Sequence, residues 1–376
     1  MTSRPTEEMV SQVCSMTRWT GRAAQWGILA GLVAWGQPGN VAWAQDAGIA
    51  AEPTASGSGS SCVVLGNAYV QKDAELYDAA TNGNKIGQFS GAIAPLKATN
   101  FPAETSGGRA QINTGAGFRV EGFADPRAML VFATRDLPVA ADRLWISGGI
   151  PLKIVGAAPG KLRVELAPEA GLSQAIQGWA PCDAVTFTKG TLPLYEVPGN
   201  ARGYVAKTSR LDLYESHGGS AVSSLSVAGD GSGLLLWGTE RKNGYAHVTS
   251  RSTVFIDAWV KLSDVRALPR GEMMDQATLP DRLQDPPKLG LQSFLREMRA
   301  PSEAALYAGR GATFPMIGVI ERDADIYVLE TVVGWASVLP KGLHVMPIGD
   351  RAFWVKASDL GLVPPGADAG AEGGTK

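Results

Sequence analysis

Phe353-Trp354-Val355-Lys356-Ala357-Ser358-Asp359-Leu360 restates Ala258-Trp259-Val260-Lys261-Leu262-Ser263-Asp264-Val265. Each copy has an earlier companion, Gly334-Trp335-Ala336-Ser337-Val338 for the later and Gly244-Tyr245-Ala246-His247-Val248 for the earlier. The offsets are 90 residues (335 − 245) and 95 residues (354 − 259), so order and spacing are both kept. Two matched aromatic-and-valine pairs at one offset mark a repeated structural unit. Apolar and polar residues alternate within each copy, which is the two-residue period of a strand.

Working outward, Ala68-Tyr69-Val70 followed by Glu75-Leu76-Tyr77 is echoed by Gly203-Tyr204-Val205 with Leu213-Tyr214, and more briefly by Leu306-Tyr307. A polar, glycine-bearing loop follows each Leu-Tyr. Lys161-Leu162-Arg163-Val164-Glu165-Leu166 is the cleanest strand pattern, and Leu234–Trp237 and Ile326–Leu329 are short apolar strands. Four units follow, over 62–130, 131–188, 189–268 and 300–364. The first two read equally as separate units or as one larger domain. Gly178-Trp179-Ala180-Pro181-Cys182-Asp183 closes the second, and Phe118–Asp125, with Phe for Trp, closes the first. Residues 269–299 form a linker without strand pattern, in which Leu291, Phe294, Leu295 and Met298 sit at the spacing of a short amphipathic helix.

Both ends of the chain differ from this. Arg18 and Arg22 precede an apolar run over 23–35, and Ala42-Trp43-Ala44 supplies small residues before a cut at Gln45. That is the layout of an export signal over 1–44. The run is short for a membrane span of about 20 residues, so an uncleaved anchor is the weaker rival. Residues 45–61 read as a flexible linker, and 365–376 as a disordered tail.

The exported chain keeps Cys62 and Cys182, an even pair that an oxidising compartment would bridge; two buried thiols or one reactive thiol are the alternatives. With 34 basic against 36 acidic residues, nothing in the charge favours nucleic acid or an anionic membrane. The sequence offers no catalytic, cofactor-binding or metal-ligating constellation. His217, His247 and His344 are far apart in sequence, with His217 read as a loop residue and His247 as solvent-facing. The glycine-rich runs lack the lysine of a phosphate loop, and no serine sits in a nucleophile elbow. Glu321, Asp323 and Asp325 surround Arg322 and read as a solvated turn.

The Leu-Tyr, the glycine-bearing loop, the Gly-aromatic-x-x-Val strand and the closing Trp-Val-x-x-Ser-Asp resemble bacterial SH3-like repeats. The resemblance implies an all-β chain of tandem small barrels, each of about five strands, on an exported protein. It also implies a binding role toward a cell-wall component or an envelope protein, in the periplasm or outside the cell. A spacer or assembly module without small ligand is the alternative. Such repeats often accompany cell-wall peptidases, but Cys182 lacks the helix-start context of their nucleophile. Within this reading Tyr77, Tyr214 and Tyr307, which border the variable loops, are candidates for ligand contact or for closing the barrels. Alternation leaves open whether the motif Trp or its neighbouring Val faces the interior.

Overall fold

The computed structural model describes residues 60–362 apart from 92, 105, 116, 141, 170, 192–194, 230, 232, 270–293, 342–344 and 349–351. The export segment, most of the following linker and the tail therefore lie outside the described residues, as do His344 and Leu291. The described chain is strands and three short 3-10 turns, with antiparallel pairing throughout and no α-helix.

One order of pairing is complete in two copies and recurs in large part in two more. The first copy comprises β1 (Val64–Val70), β2 (Glu75–Tyr77), β3 (Lys85–Phe89), β4 (Ile93–Thr99), β5 (Ala110–Thr114), β6 (Phe118–Ala124) and, after a 3-10 turn at Pro126–Ala128, β7 (Met129–Ala133). Here β1 pairs with β4 and β7, β2 pairs with β3 and meets β6 at Tyr77–Phe123, and β4, β5 and β6 form a meander.

The second copy starts on the same β7. It continues through β8 (Leu137–Ala140), β9 (Leu144–Ile146), β10 (Pro151–Ala158), β11 (Lys161–Leu166), β12 (Ile176–Pro181), a 3-10 turn at Cys182–Ala184 and β13 (Val185–Thr186). The start of β7 pairs with β1, its end with β13, and its other edge with β10. The boundary drawn between 130 and 131 thus cuts a strand that both copies use.

The third copy is β14 (Arg202–Ala206), β15 (Arg210–Tyr214), β16 (Ala221–Ser226), β17 (Leu235–Lys242), β18 (Tyr245–Arg251), β19 (Val254–Lys261) and β20 (Val265–Ala267). It reproduces every pairing of the first, including Tyr214–Trp259 in place of Tyr77–Phe123. The fourth is β21 (Arg296–Arg299), β22 (Ala304–Tyr307), β23 (Met316–Ile320), β24 (Asp325–Val332), β25 (Trp335–Pro340), β26 (Val345–Met346) and β27 (Phe353–Lys356), ending in a 3-10 turn at Ala357–Leu360. Tyr307 there meets Trp354. A bulge falls between Leu and Tyr in all three copies that carry the dipeptide. The extra residue is on the partner strand, at Ile86, Val222 and Ile317, so Leu and Tyr keep their alternation and the leucine is the one on the core face.

The phase of the closing strand is now determined. Val260 and Val355 are buried, as are Ala124 and Ala180 at the matching positions, whereas Trp259, Trp354 and Phe123 are half-exposed and Trp179 is exposed. The tryptophan does not fill the interior. The inward position holds Val or Ala, a valine contributing about 1.5–3 kcal/mol on full burial, and the indole lies along the outside.

These copies are not separate beads. Residues of the fourth pair with the first, Gly318–Ile320 with Phe118–Val120 and Val345–Met346 with Gln88–Phe89. The second and third are joined the same way, Leu144–Ile146 with Val254–Ile256, with a bridge between Leu172 and Val227. In two of these contacts, β23 on β6 and β9 on β19, the third strand of one copy lies on the closing strand of its neighbour. The expectation of small barrels strung along linkers is corrected accordingly: the sheets run on from copy to copy, and the described residues belong to one compact unit. The physical cause is edge exposure. A short third strand has an unpaired edge, and a neighbouring strand satisfies its backbone groups better than water does.

Two further expectations are corrected. The segment around Met298 is a strand, not a helix, because β24 presents a free edge that Arg296–Arg299 pairs with, and Phe294 packs on Tyr327 with ring centroids 5.0 Å apart. A helix of that length would be marginal on its own. Glu321 is not simply in solvent: it forms an ion pair with Arg119 at 3.0 Å and accepts from the Gly117 amide at 2.9 Å, tying the fourth copy to the first. The linker assigned to 45–61 ends in structure as well, since Ser60 is buried and bridged to Phe101.

Candidate functional site

In the three copies that carry Leu-Tyr, the tyrosine meets the residue at the aromatic position of the Gly-aromatic motif, and that residue differs. In the third copy Tyr214 takes Tyr245 edge-on at 5.2 Å, and in the fourth Tyr307 takes Trp335 in the same way at 5.2 Å. In the first copy the matching position is Arg109, whose guanidinium lies 3.4 Å from the centre of the Tyr77 ring. In the second, the bulge falls at Ala140 rather than a tyrosine, and Lys161 reaches Trp179 at 4.9 Å.

Beside Tyr77 and Arg109 lies a cleft of about 510 Å³. Its walls come from Gln71–Glu75 and Tyr77, Pro102–Glu104, Gly107–Arg109, the turn at Asp125–Ala128, and Val155–Gly156 of the second copy's β10. The last wall is close because Gly156 has no side chain; a Cβ there would stand 2.7 Å from that of Glu104. Strand pairing on both sides of β7 holds the first and second copies against one another, and so fixes the cleft's width.

The charges around the cleft divide into those already matched and those left over. Glu75 pairs with Lys85 and accepts from the Tyr77 hydroxyl; the Lys85 ammonium, and then that hydroxyl, hold its carboxyl below the usual carboxylate range. Glu104 pairs with Arg163, and Asp125 caps the turn by accepting from the Arg127 amide at 2.9 Å. Arg109 is half-buried and gives long bonds to the carbonyls of Ala79 and Ala80, at 3.4 and 3.5 Å. Neither it nor Lys72 or Arg127 has a carboxylate partner among the described residues.

Of the three tyrosines singled out in the sequence, Tyr77 lines this cleft, Tyr307 is half-exposed beside Trp335, and Tyr214 is buried under Tyr245 and Lys261. They occupy equivalent places in different copies and are not brought together. Cys62 and Cys182 are joined as a disulfide, with Cα atoms 5.3 Å apart, and the Ser60 hydroxyl points at the Cys62 sulfur from 2.9 Å. The bond ties the entry of β1 to the turn before β13.

His217 and His247, distant in sequence, both pack on Trp259 at 5.2 Å between ring centroids. His247 is not simply solvent-facing, since its Nε2 lies 2.8 Å from Oδ1 of Asp257. No three candidate metal ligands come together among the described residues. Arg109, Arg127 and Gly156 went unnoticed in the sequence. Arg109 had a signal, because Gly108-Arg109-Ala110-Gln111-Ile112 aligns with Gly244-Tyr245-Ala246-His247-Val248 once the aromatic is allowed to vary.

The chain matches no protein-family model and no curated protein. Among solved structures, NlpC1 from Trichomonas vaginalis is similar at a TM-score of 0.16 and 11% identity, over 44% of this chain and 47% of that one. NlpC2 from the same organism gives 0.15 and 12%, over 43% and 46%. The chain thus matches under half the length of either, and neither likeness carries any argument about what this protein does.

Proposed function

We propose that the chain is an exported, non-enzymatic binding protein built from SH3-like repeats, and that it contacts cell-wall peptide or an envelope protein. The observation that carries this reading is the cleft beside Tyr77 and Arg109, a pre-formed concavity with an aromatic floor and unmatched charge. The recurrence of one pairing order, with a Leu-Tyr beside a bulge in three of the copies, supports the repeat assignment. A disulfide and the apolar run over 23–35 support export to the periplasm or beyond. The sulfur of Cys182 is bonded to Cys62 and so is withheld from nucleophilic chemistry. No cofactor enters this reading, nor nucleic acid, nor stable membrane insertion after the signal is removed.

A second reading, a spacer or assembly module, draws on the reciprocal sheet junctions, which weld the copies into one stiff body. Sedimentation of the purified chain from residue 45 with isolated cell wall separates the two. Retention on the wall supports binding, and an empty wall fraction supports the spacer.

A further inference from the structure

We infer that the cleft takes a carboxylate-bearing ligand, an acidic peptide, with Arg109 as the receiving group; this rests on the binding reading above. The inference comes from how the charges are used. The two glutamates of the cleft are engaged with cations of their own, Glu75 with Lys85 and Glu104 with Arg163. Lys72, Arg109 and Arg127 have no such partner among the described residues and face the same space. Asp73 and Asp125 temper the excess, so the site favours a carboxylate placed at Arg109 over a diffuse anion.

Arg109 is also the one cation whose geometry is set in advance. Its guanidinium carbon lies over the Tyr77 ring, 3.4 Å from the centre, and the group is steadied from one side by the carbonyls of Ala79 and Ala80. A planar fork held on a ring keeps its remaining N–H groups directed outward, which suits two parallel bonds to one carboxylate and loses little rotamer freedom on binding. The Tyr77 hydroxyl is already committed to Glu75, which stops the ring from turning away. The other copies hold Lys161, Tyr245 or Trp335 at this position, so the site belongs to the first copy alone.

The test uses the chain from residue 45 and two synthetic probes, acetyl-Gly-Glu-Gly-Glu with free carboxyls and the same peptide with every carboxyl amidated, followed by isothermal titration. The free acid binds and the amidated peptide is weaker by about tenfold or more, as is the free acid with Arg109→Gln. Arg109→Lys keeps part of the affinity, and Lys242→Gln, on an exposed strand end of the third copy, changes nothing. Circular dichroism of each variant separates lost binding from lost fold, and Arg127→Gln gives a second variant that weakens binding should Arg109→Gln not fold. Equal binding of both peptides, binding of neither, or unaltered affinity in Arg109→Gln overturns the inference. If the wild-type chain sediments with cell wall while neither peptide binds, the ligand chemistry fails and the binding function stands; an empty wall fraction removes the function itself.

Discussion

Replacing both cysteines, Cys62→Ala with Cys182→Ala, should cost the fold several kcal/mol without touching the cleft. The bond links residues 120 positions apart, enclosing β1 through β12 and the strand that the first two copies share. Loop-closure entropy for a ring of that size is about 5 kcal/mol at room temperature, which is an upper figure because unfolded chains are not fully random. Little offsets it. Cys62 is 2% exposed, so the lost sulfur also leaves a small void beside Ser60 and Phe101. For a chain of this length the expected fall in melting temperature is roughly 10 °C. Urea unfolding followed by tryptophan fluorescence, oxidised wild type against double variant, gives the difference directly, and wild type in reductant should approach the variant. Non-reducing peptide mapping should recover the fragments of Cys62 and Cys182 linked. A loss below about 1 kcal/mol, with reductant making no difference, would refute the argument that this bond constrains the loop; alkylation of both cysteines without reductant would refute the bond.

Gly318→Ala should open the junction between the first and fourth copies. A Cβ there would press into the Arg119 carbonyl, and overpacking of this kind costs about 1–3 kcal/mol; faster amide exchange at Val319 and Val120 is the readout. Val355→Ala should cost about 2 kcal/mol in urea unfolding because the side chain is fully buried, while Lys356→Ala beside it should be near neutral. The lowered carboxyl pKa of Glu75 means its folded-state pairing with Lys85 and Tyr77 stabilises above the ordinary carboxylate range and is lost as pH falls through the lowered value. Glu75→Gln should therefore differ from wild type at neutral pH and converge with it in acid, as followed by unfolding at a series of pH values.

Much of the strand content was legible because alternation is a local property. Leu162, Val164 and Leu166 read as one buried face and are one, and the echo between Trp259 and Trp354 marks the same strand in two copies. What stayed hidden depends on partners that lie far away in the chain. Alternation fixes a period but not a phase, so nothing local told Val355 inward from Trp354 inward. Leu291, Phe294, Leu295 and Met298 fit a helical stripe, and only the free edge of β24 makes Arg296–Arg299 extended. The double use of β7 was invisible for the same reason, since a strand paired on both edges reads like any apolar run. The cleft draws on residues from 71 to 156, so its floor, Tyr77, was picked out for its motif while Arg109 and Gly156 were not.

The junction between Phe118–Val120 and Gly318–Ile320 sets a timetable for synthesis. Val120 leaves the ribosome 198 residues (318 − 120) ahead of the glycine it pairs with. Throughout that interval the outer edges of β3 and β6 are bare, and bare edges recruit other chains. A nascent chain of this protein is thus most vulnerable to sticking while its final copy is still unmade, and truncations that remove residues beyond 300 should aggregate through the bared edges of the first copy.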